Sequence, residues 1–261
     1  MEVRSGNFLT ETWSLVTQIR SVAQEKGLGH VLRIGLDWLA TPLLARAHRW
    51  ARRKRRFQVA GREYSYFTHR YNATWRNERA VELPVIREAV ESARGNRILE
   101  IGNVLSHYMP VHHDVLDKYE QASGTVRADL VDFVPEHPYD LVVSISTIEH
   151  IGWDESPREP AKVLRALETM KRCLAPGGAL LVTFPLGHNP FLDEQVRTGQ
   201  IVFEEQHVLR RVSLANEWRE VELGDVADAK YGHPYPYANA IVIGRFVRMP
   251  ARENAAPGSG V

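Results

Sequence analysis

Several things are scarce in this sequence, and each scarcity excludes something. There is one cysteine, Cys173, in 261 residues. One cysteine forms no intrachain disulfide and builds no cysteine zinc site, which fits a reducing compartment, so a cytoplasmic location is expected. No stretch of about 18 apolar residues occurs, so no membrane-spanning helix is expected. The first residues show no apolar core behind a basic start, the pattern of a secretory signal. Charge of one sign is not in excess either: 33 Lys and Arg against 32 Asp and Glu give a net charge of +1. A general attraction to nucleic acid or to an anionic membrane is therefore not written into the composition. What remains is ordinary globular material. Hydrophobic residues make up 44% of the chain, enough for a sizeable core. The length suits one large domain, or a domain with an extension.

Residues 1–77 read as a helical N-terminal extension. Its helical segments are "LVTQIRSVAQEKG" and "VLRIGLDWLATPLLARAHRWARRKRRF", with Pro42 breaking or kinking the second. The end of that segment, "RAHRWARRKRR" at 46–56, is the one strongly biased stretch. "FQVAGREYSYF" alternates around Gly61 and predicts a hairpin. Residues 78–250 form the main domain. It opens with a helix, "NERAVELPVIREAVESARG", closed by Gly95. Strand-like runs follow at "RILEIG", "HHDVLD", "YDLVVSIS", "ALLVTF" and "ANAIVIGRFV", with an amphipathic helix, "EPAKVLRALETMKRCLAPGG", between the third and fourth. Such alternation predicts an α/β fold, a mostly parallel sheet covered on both faces, with ligands at the strand C-termini. The tail, 251–261, reads as disordered.

The stretch "RILEIGNVLSHY" at 97–108 is a buried strand entering a glycine turn. Only Gly102 is present, where nucleotide loops carry two or three glycines. Alone, this is as readily a core turn as a cofactor loop. Its neighbours favour the loop. Asp117 ends the next run, where an acid can take both hydroxyls of a ribose. Asp129 follows "TVRA" at a third strand end, suited to an adenine edge. "YDLVVSISTIEH" then opens into polar residues.

Together these segments resemble class I S-adenosylmethionine-dependent methyltransferases over roughly residues 78–248. "LEIGNVLS" sits at the family's acidic, glycine-rich first loop. "YDLVVSISTIEHIG" resembles its fourth-strand motif, and "LAPGGALLVTFP" the segment before and within its fifth strand. Val104 and Ser106 stand where the family has further glycines. "YNATWRNERAVELP", "IGNVLSHY" and "STIEHIGWDE" resemble, more narrowly, methyltransferases of polysaccharide and glycoside biosynthesis. The resemblance implies a Rossmann-like, seven-stranded, mostly parallel sheet whose last two strands pair antiparallel, with "EWREVEL" and "ANAIVIGRFV" as candidates. It implies S-adenosylmethionine as cofactor. Glu100 is the acid of the first motif, Gly102 and Asn103 meet the methionine end, and Asp117 meets the ribose. Asp129 and Leu130 meet the adenine, and Ser146 and Thr147 lie beneath the sulfonium. A loop with few glycines suits this cofactor, because it carries no phosphate for several backbone amides to cradle.

The activity implied is O-methylation of a saccharide hydroxyl, with a mannose-type oligosaccharide of a methylated polysaccharide as the acceptor the narrower resemblance suggests. A hydroxyl is a poor nucleophile, so a base helps, and His150 just past the fourth strand is the candidate. Its alternative is a capping or packing role in the next turn. His188 in "PLGHNPF" competes with it, or is a turn residue between Pro185 and Pro190. Glu205 and His207 share one face of a strand by alternation and could bind sugar hydroxyls, or form a solvated edge. Tyr237 in "YGHPYPYANA" could stack on a pyranose, or pack a rigid loop. A divalent metal such as magnesium is compatible with the acids and histidines near strand ends, but no ligand spacing is recognisable and no ligands are assigned. The segment 46–56 leaves open a nucleic-acid or protein substrate, a peripheral membrane contact or a homodimer face. The same fold without catalysis, as a scaffold, is the third reading.

Overall fold

The computed structural model describes residues 43–120 and 124–249. The chain divides into two compact units, Met1–Ala51 and Arg52–Val261. In the first unit residues 43–51 are helical. The segments expected to be helical before residue 43, the kink at Pro42 and the tail from 251 lie outside the described residues. No described helix is long and apolar enough to cross a membrane.

The second unit begins with a hairpin, β1 (Arg56–Val59) and β2 (Arg62–Ser65), turning at Ala60 and Gly61. Helix α1 (Arg79–Ser92) follows, and it contains Pro84. Pro84 has no N–H to give the carbonyl of Ala80, one turn back. That carbonyl instead accepts a bond from Phe67 N at 2.9 Å, which ties the helix to the chain leaving the hairpin.

The remaining strands form one eight-stranded sheet. They are β3 (Ile98–Ile101), β4 (Asp114–Asp117), β5 (Thr125–Arg127), β6 (Tyr139–Ile145), β7 (Leu174–Pro185), β8 (Glu205–Arg211), β9 (Trp218–Val221) and β10 (Ala240–Val247). Their order is β5-β4-β3-β6-β7-β10-β8-β9. The first five are mutually parallel, and β10 runs antiparallel to both β7 and β8. The architecture is Rossmann-like, as expected, with one strand more than the seven implied. The extra strand corrects a pairing. "EWREVEL" supplies β9, which pairs with β8 at the sheet edge and not with β10. Strand β10 is interior, between β7 and β8, and apolar along most of its length for that reason. A second correction concerns Pro-Gly-Gly at 176–178. It lies inside the extended run of β7, opposite a register shift between Tyr139 and Leu141, rather than in a turn before it.

Both faces of the sheet are covered. Val142 and Val143 are adjacent in β6 and belong to opposite cores. On one face Val142, Leu180 and Val182 pack under α2 (Lys162–Arg172) and α3 (Pro190–Arg197), against Val163, Ala166, Met170 and Leu192. On the other, Val143, Ile145 and Ile241 pack under α1, with Val81, Leu83 and Ile86, and under Phe57 and Val59 of the hairpin. Burial on both sides explains why the central strands read as unbroken apolar runs.

Candidate functional site

The strand order reverses between β3 and β6, the place where parallel α/β sheets open a crevice at their strand C-termini. A cavity of about 510 Å³ lies there. It is lined by Gly102, Asn103, Asp117, Asp129, Leu130, Ser146, Thr147 and His150, so the structure brings together eight residues singled out in the sequence.

Glu100 is the exception. It is fully buried in β3 and does not line the cavity. Its Oε1 accepts the amides of Val104 and Leu105 at 2.9 and 2.8 Å, and its Oε2 lies 3.0 Å from His113 Nε2. The loop after β3 is wound around this carboxylate from below. Two amides anchored on one acid fix the turn, so the loop keeps its shape without the usual further glycines. Gly102 itself is obligatory. Its φ is +83°, and a Cβ would come 2.3 Å from Thr147 Oγ1.

Asp117 reaches back to the same loop. Its Oδ2 accepts Asn103 N at 3.0 Å, and its Oδ1 accepts the amides of Tyr119 and Glu120, both at 2.8 Å. Asp129 caps the turn after β5 through Val131 N and meets Lys118 and Lys162 at 2.8 and 2.6 Å. Burial opposes its charge, but the hydrogen bonds from the two lysines outweigh that and hold its carboxyl down at about 2. Glu155 closes this network, at 2.8 Å from Lys118 and 2.6 Å from Lys162. Ser146 sits at φ +37°, a strained value for a residue with a side chain, and its Oγ donates to Glu82 at 2.6 Å. Asn103 is buried, and its side-chain Nδ2 has no hydrogen-bond partner among the described residues.

A smaller cavity of about 230 Å³ adjoins the first and shares Asn72, Arg79, Ser146 and His150 with it. His188 and Tyr237 line it, with Glu78, Glu149 and Tyr231. His188 and His150 come together for a local reason. The Asn189 side chain caps α3 through the amides of Phe191 and Leu192, and donates to the carbonyl of Glu149 at 2.9 Å. That stitches the loop after β7 to the turn after β6. The two imidazoles then stand 4.7 Å apart, edge to face. Asp154 Oδ2 lies 2.5 Å from His150 Nδ1 and 3.2 Å from His188 Nε2. Burial works against the Asp154 charge, yet the two histidines hold its carboxyl below the ordinary value. Glu149 is 1% exposed, and its Oε2 has no partner among the described residues. Burial pushes its carboxyl well above the ordinary range.

Glu205 and His207 line neither cavity. Glu205 pairs with Arg245 at 2.5 Å, and His207 Nδ1 lies 2.6 Å from Glu220. They share a strand, as expected, but β7 and β10 stand between that strand and β6. Within the basic segment Arg55 pairs with Glu217 at 2.7 Å and Arg56 lies 3.8 Å from Glu63, so two of its charges serve intramolecular pairs.

Sequence reasoning missed Arg79, Glu78 and Glu82. They open a helix whose first turn is buried, and Arg79 pairs with Glu82. The signal was there: three charged residues lie within five positions at the start of a helix with an apolar stripe. It also missed Asp154 and Tyr71, whose ring stacks on His107 at 4.6 Å along the cavity wall.

No family model matches the chain, and no curated protein matches it. Solved structures resemble it at low identity. The N-methyltransferase NodS from Bradyrhizobium japonicum WM9, in complex with S-adenosyl-L-homocysteine, is 16% identical over 66% of this chain and 87% of its own, with a TM-score of 0.42. The sugar N-methyltransferase KedS8 from Streptoalloteichus sp. ATCC 53650 is 16% identical over 65% and 87%, with a TM-score of 0.33. A possible histamine N-methyltransferase from Thermotoga maritima is 16% identical over 62% and 86%, with a TM-score of 0.36.

Proposed function

We propose that the protein is an S-adenosylmethionine-dependent methyltransferase that methylates a hydroxyl of a saccharide. The observation that carries this is the larger cavity itself: a nucleoside-sized crevice at the strand reversal, walled by Asp117, Glu120, Asp129, Asp154 and Glu155. Lys118, on the same wall, is already paired with Asp129 and Glu155. With Lys162, which pairs with the same two acids, it neutralises them, and Asp117, Glu120 and Asp154 remain against Arg79, a balance that suits a ligand pairing a nucleoside with a cationic sulfur better than a pyrophosphate. The residues present fit that cofactor. The unpaired amide of Asn103 and the guanidinium of Arg79 suit its carboxylate. Asp117 retains lone pairs for the ribose hydroxyls, while Asp129 and Leu130 suit the adenine edge. Ser146 lines both cavities, and Thr147 lines the larger one beside it.

When bound, the cofactor supplies a methyl group already activated by the sulfonium. The chain's task is to present an oxygen in line with it and to accept the proton. His150 is the residue we assign to the proton, with its Nδ1 held by Asp154 so that the other nitrogen can act as base. His188, Tyr237 and the carboxyls of the smaller cavity suit sugar hydroxyls. Glu205 and His207, remote from both cavities, have no part in this reading.

Calorimetric titration with S-adenosylhomocysteine tests the cofactor assignment. Micromolar binding by the wild type that Asp117→Ala loses supports it. No binding by a well-folded wild type leaves the non-catalytic scaffold. In a screen of saccharide acceptors, His150→Ala should abolish turnover and leave cofactor binding within about twofold; normal turnover would remove His150 from the mechanism.

A further inference from the structure

We infer that His150, Asp154 and His188 form a divalent-cation site at the mouth of the acceptor cavity, suited to a first-row transition ion. Among the described residues these three bring one ligand atom each within 4.8 Å of one another. His150 Nδ1 and His188 Nε2 converge on Asp154 Oδ2 at 2.5 and 3.2 Å; around an ion at about 2.1 Å ligand atoms stand about 3.0 to 3.4 Å apart, so loading the site asks only that the Asp154 carboxylate draw back from His150 by less than about 1 Å. The backbone fixes the first pair. Trp153 N and Asp154 N both bond to the carbonyl of His150, at 3.1 and 3.0 Å, which folds Asp154 back over the imidazole. His188 is fixed by the Asn189 stitch described above.

Glu149 provides an independent observation. A ligating histidine commonly gives its second ring N–H to a carboxylate, which sets the tautomer and strengthens the ligand. Glu149 Oε1 lies 3.5 Å from His150 Nε2, the nitrogen that a metal on Nδ1 would leave bearing hydrogen. Its other oxygen is buried with no hydrogen-bond partner among the described residues, and Glu149 lines the smaller cavity. Two imidazoles and one carboxylate favour manganese, iron or zinc over magnesium or calcium, which prefer oxygen alone. Three protein ligands leave positions open, at a point where His150 lines both cavities.

This inference rests on the methyltransferase reading for its purpose, though not for its geometry. There, the ion would make an acceptor hydroxyl more acidic, so that its proton could leave to water as the methyl group passes from sulfur to oxygen; His150 would then hold the ion in place of the base role given above. The test is titration of chelator-stripped full-length protein with Mn²⁺, by calorimetry and by electron paramagnetic resonance. One saturable ion per chain, weakened at least tenfold in His188→Ala and in Asp154→Asn but unchanged in the surface control His137→Ala, is the expected result. Circular dichroism confirms that each variant is folded. No saturable Mn²⁺ binding by the wild type, or equal binding by His188→Ala, would overturn the site. S-adenosylhomocysteine is titrated into the same sample. If it binds and Mn²⁺ does not, the cation site fails and the base role of His150 stands. If Mn²⁺ binds and the nucleoside does not, the cation site stands and the methyltransferase reading fails.

Discussion

At the ends of β3, β4 and β5 the carboxylates are already committed. Glu100 holds two loop amides, Asp117 holds three, and Asp129 holds two lysines. At the ends of β6 and β7 the arrangement differs. Glu149 keeps an oxygen with no partner, and two half-open imidazoles share one carboxylate. The first region spends its charge on shaping a pocket, which suits an invariant ligand. The second leaves polar groups unmet in a buried place, which is costly unless something arrives to meet them.

The largest test of that contrast is Gly102→Ala. The added Cβ meets Thr147, and the backbone needs a left-handed conformation, so about 2–4 kcal/mol of strain should appear. We expect S-adenosylhomocysteine affinity to fall by about 100-fold or more in calorimetry, with a lower melting temperature. Unchanged affinity would mean the loop is not preorganised. Asp117→Ala comes next. It strands three amides, and should cost about 2 kcal/mol of stability in urea melts and about 10- to 100-fold in affinity.

Asn103→Ala removes an unused donor rather than a scaffold. Affinity should drop by about tenfold or less, with stability unchanged or slightly improved, because an unmet buried group is gone. A large loss of stability would show that the amide serves the fold. The smallest effect is one of pH. Asp129 titrates near 2 when folded, against about 3.9 when unfolded, so its pairing contributes stability above about pH 4 that is lost as pH falls towards 2. Allowing for water around the lysines, this is about 1 kcal/mol. Asp129→Asn should therefore flatten the acid limb of a stability profile between pH 4 and 2, and an unaltered limb would deny the shift.

Much of the fold was legible because it follows from local pattern. Apolar runs bounded by turns gave strands β3, β4, β6, β7 and β10, and their burial on both faces is what made them unbroken. What local pattern left open is where partners come from afar. "EWREVEL" carries a strand pattern, but nothing in it says whether β8 or β10 lies beside it. Glu100 sits where a cofactor acid is expected, and only its contacts with Val104, Leu105 and His113 turn it under the loop. Alternation put Glu205 and His207 on the same strand, yet their distance from the cleft depends on sheet order.

The sequence by itself determined the alternating α/β architecture and the gathering of Gly102, Asp117, Asp129 and Ser146 at one cavity, because each lies at or just past a strand end and parallel strands end together. Only the tertiary structure decided the smaller cavity. His150 and His188 are brought together by the adjacency of β6 and β7 and by one asparagine bonded across the gap, while Glu78, Arg79 and Glu149 meet because a buried helix start packs over the turn after β6. Strand ends are local facts that a chain carries in its residue order; the meeting of side chains from separate loops depends on how the whole sheet is assembled.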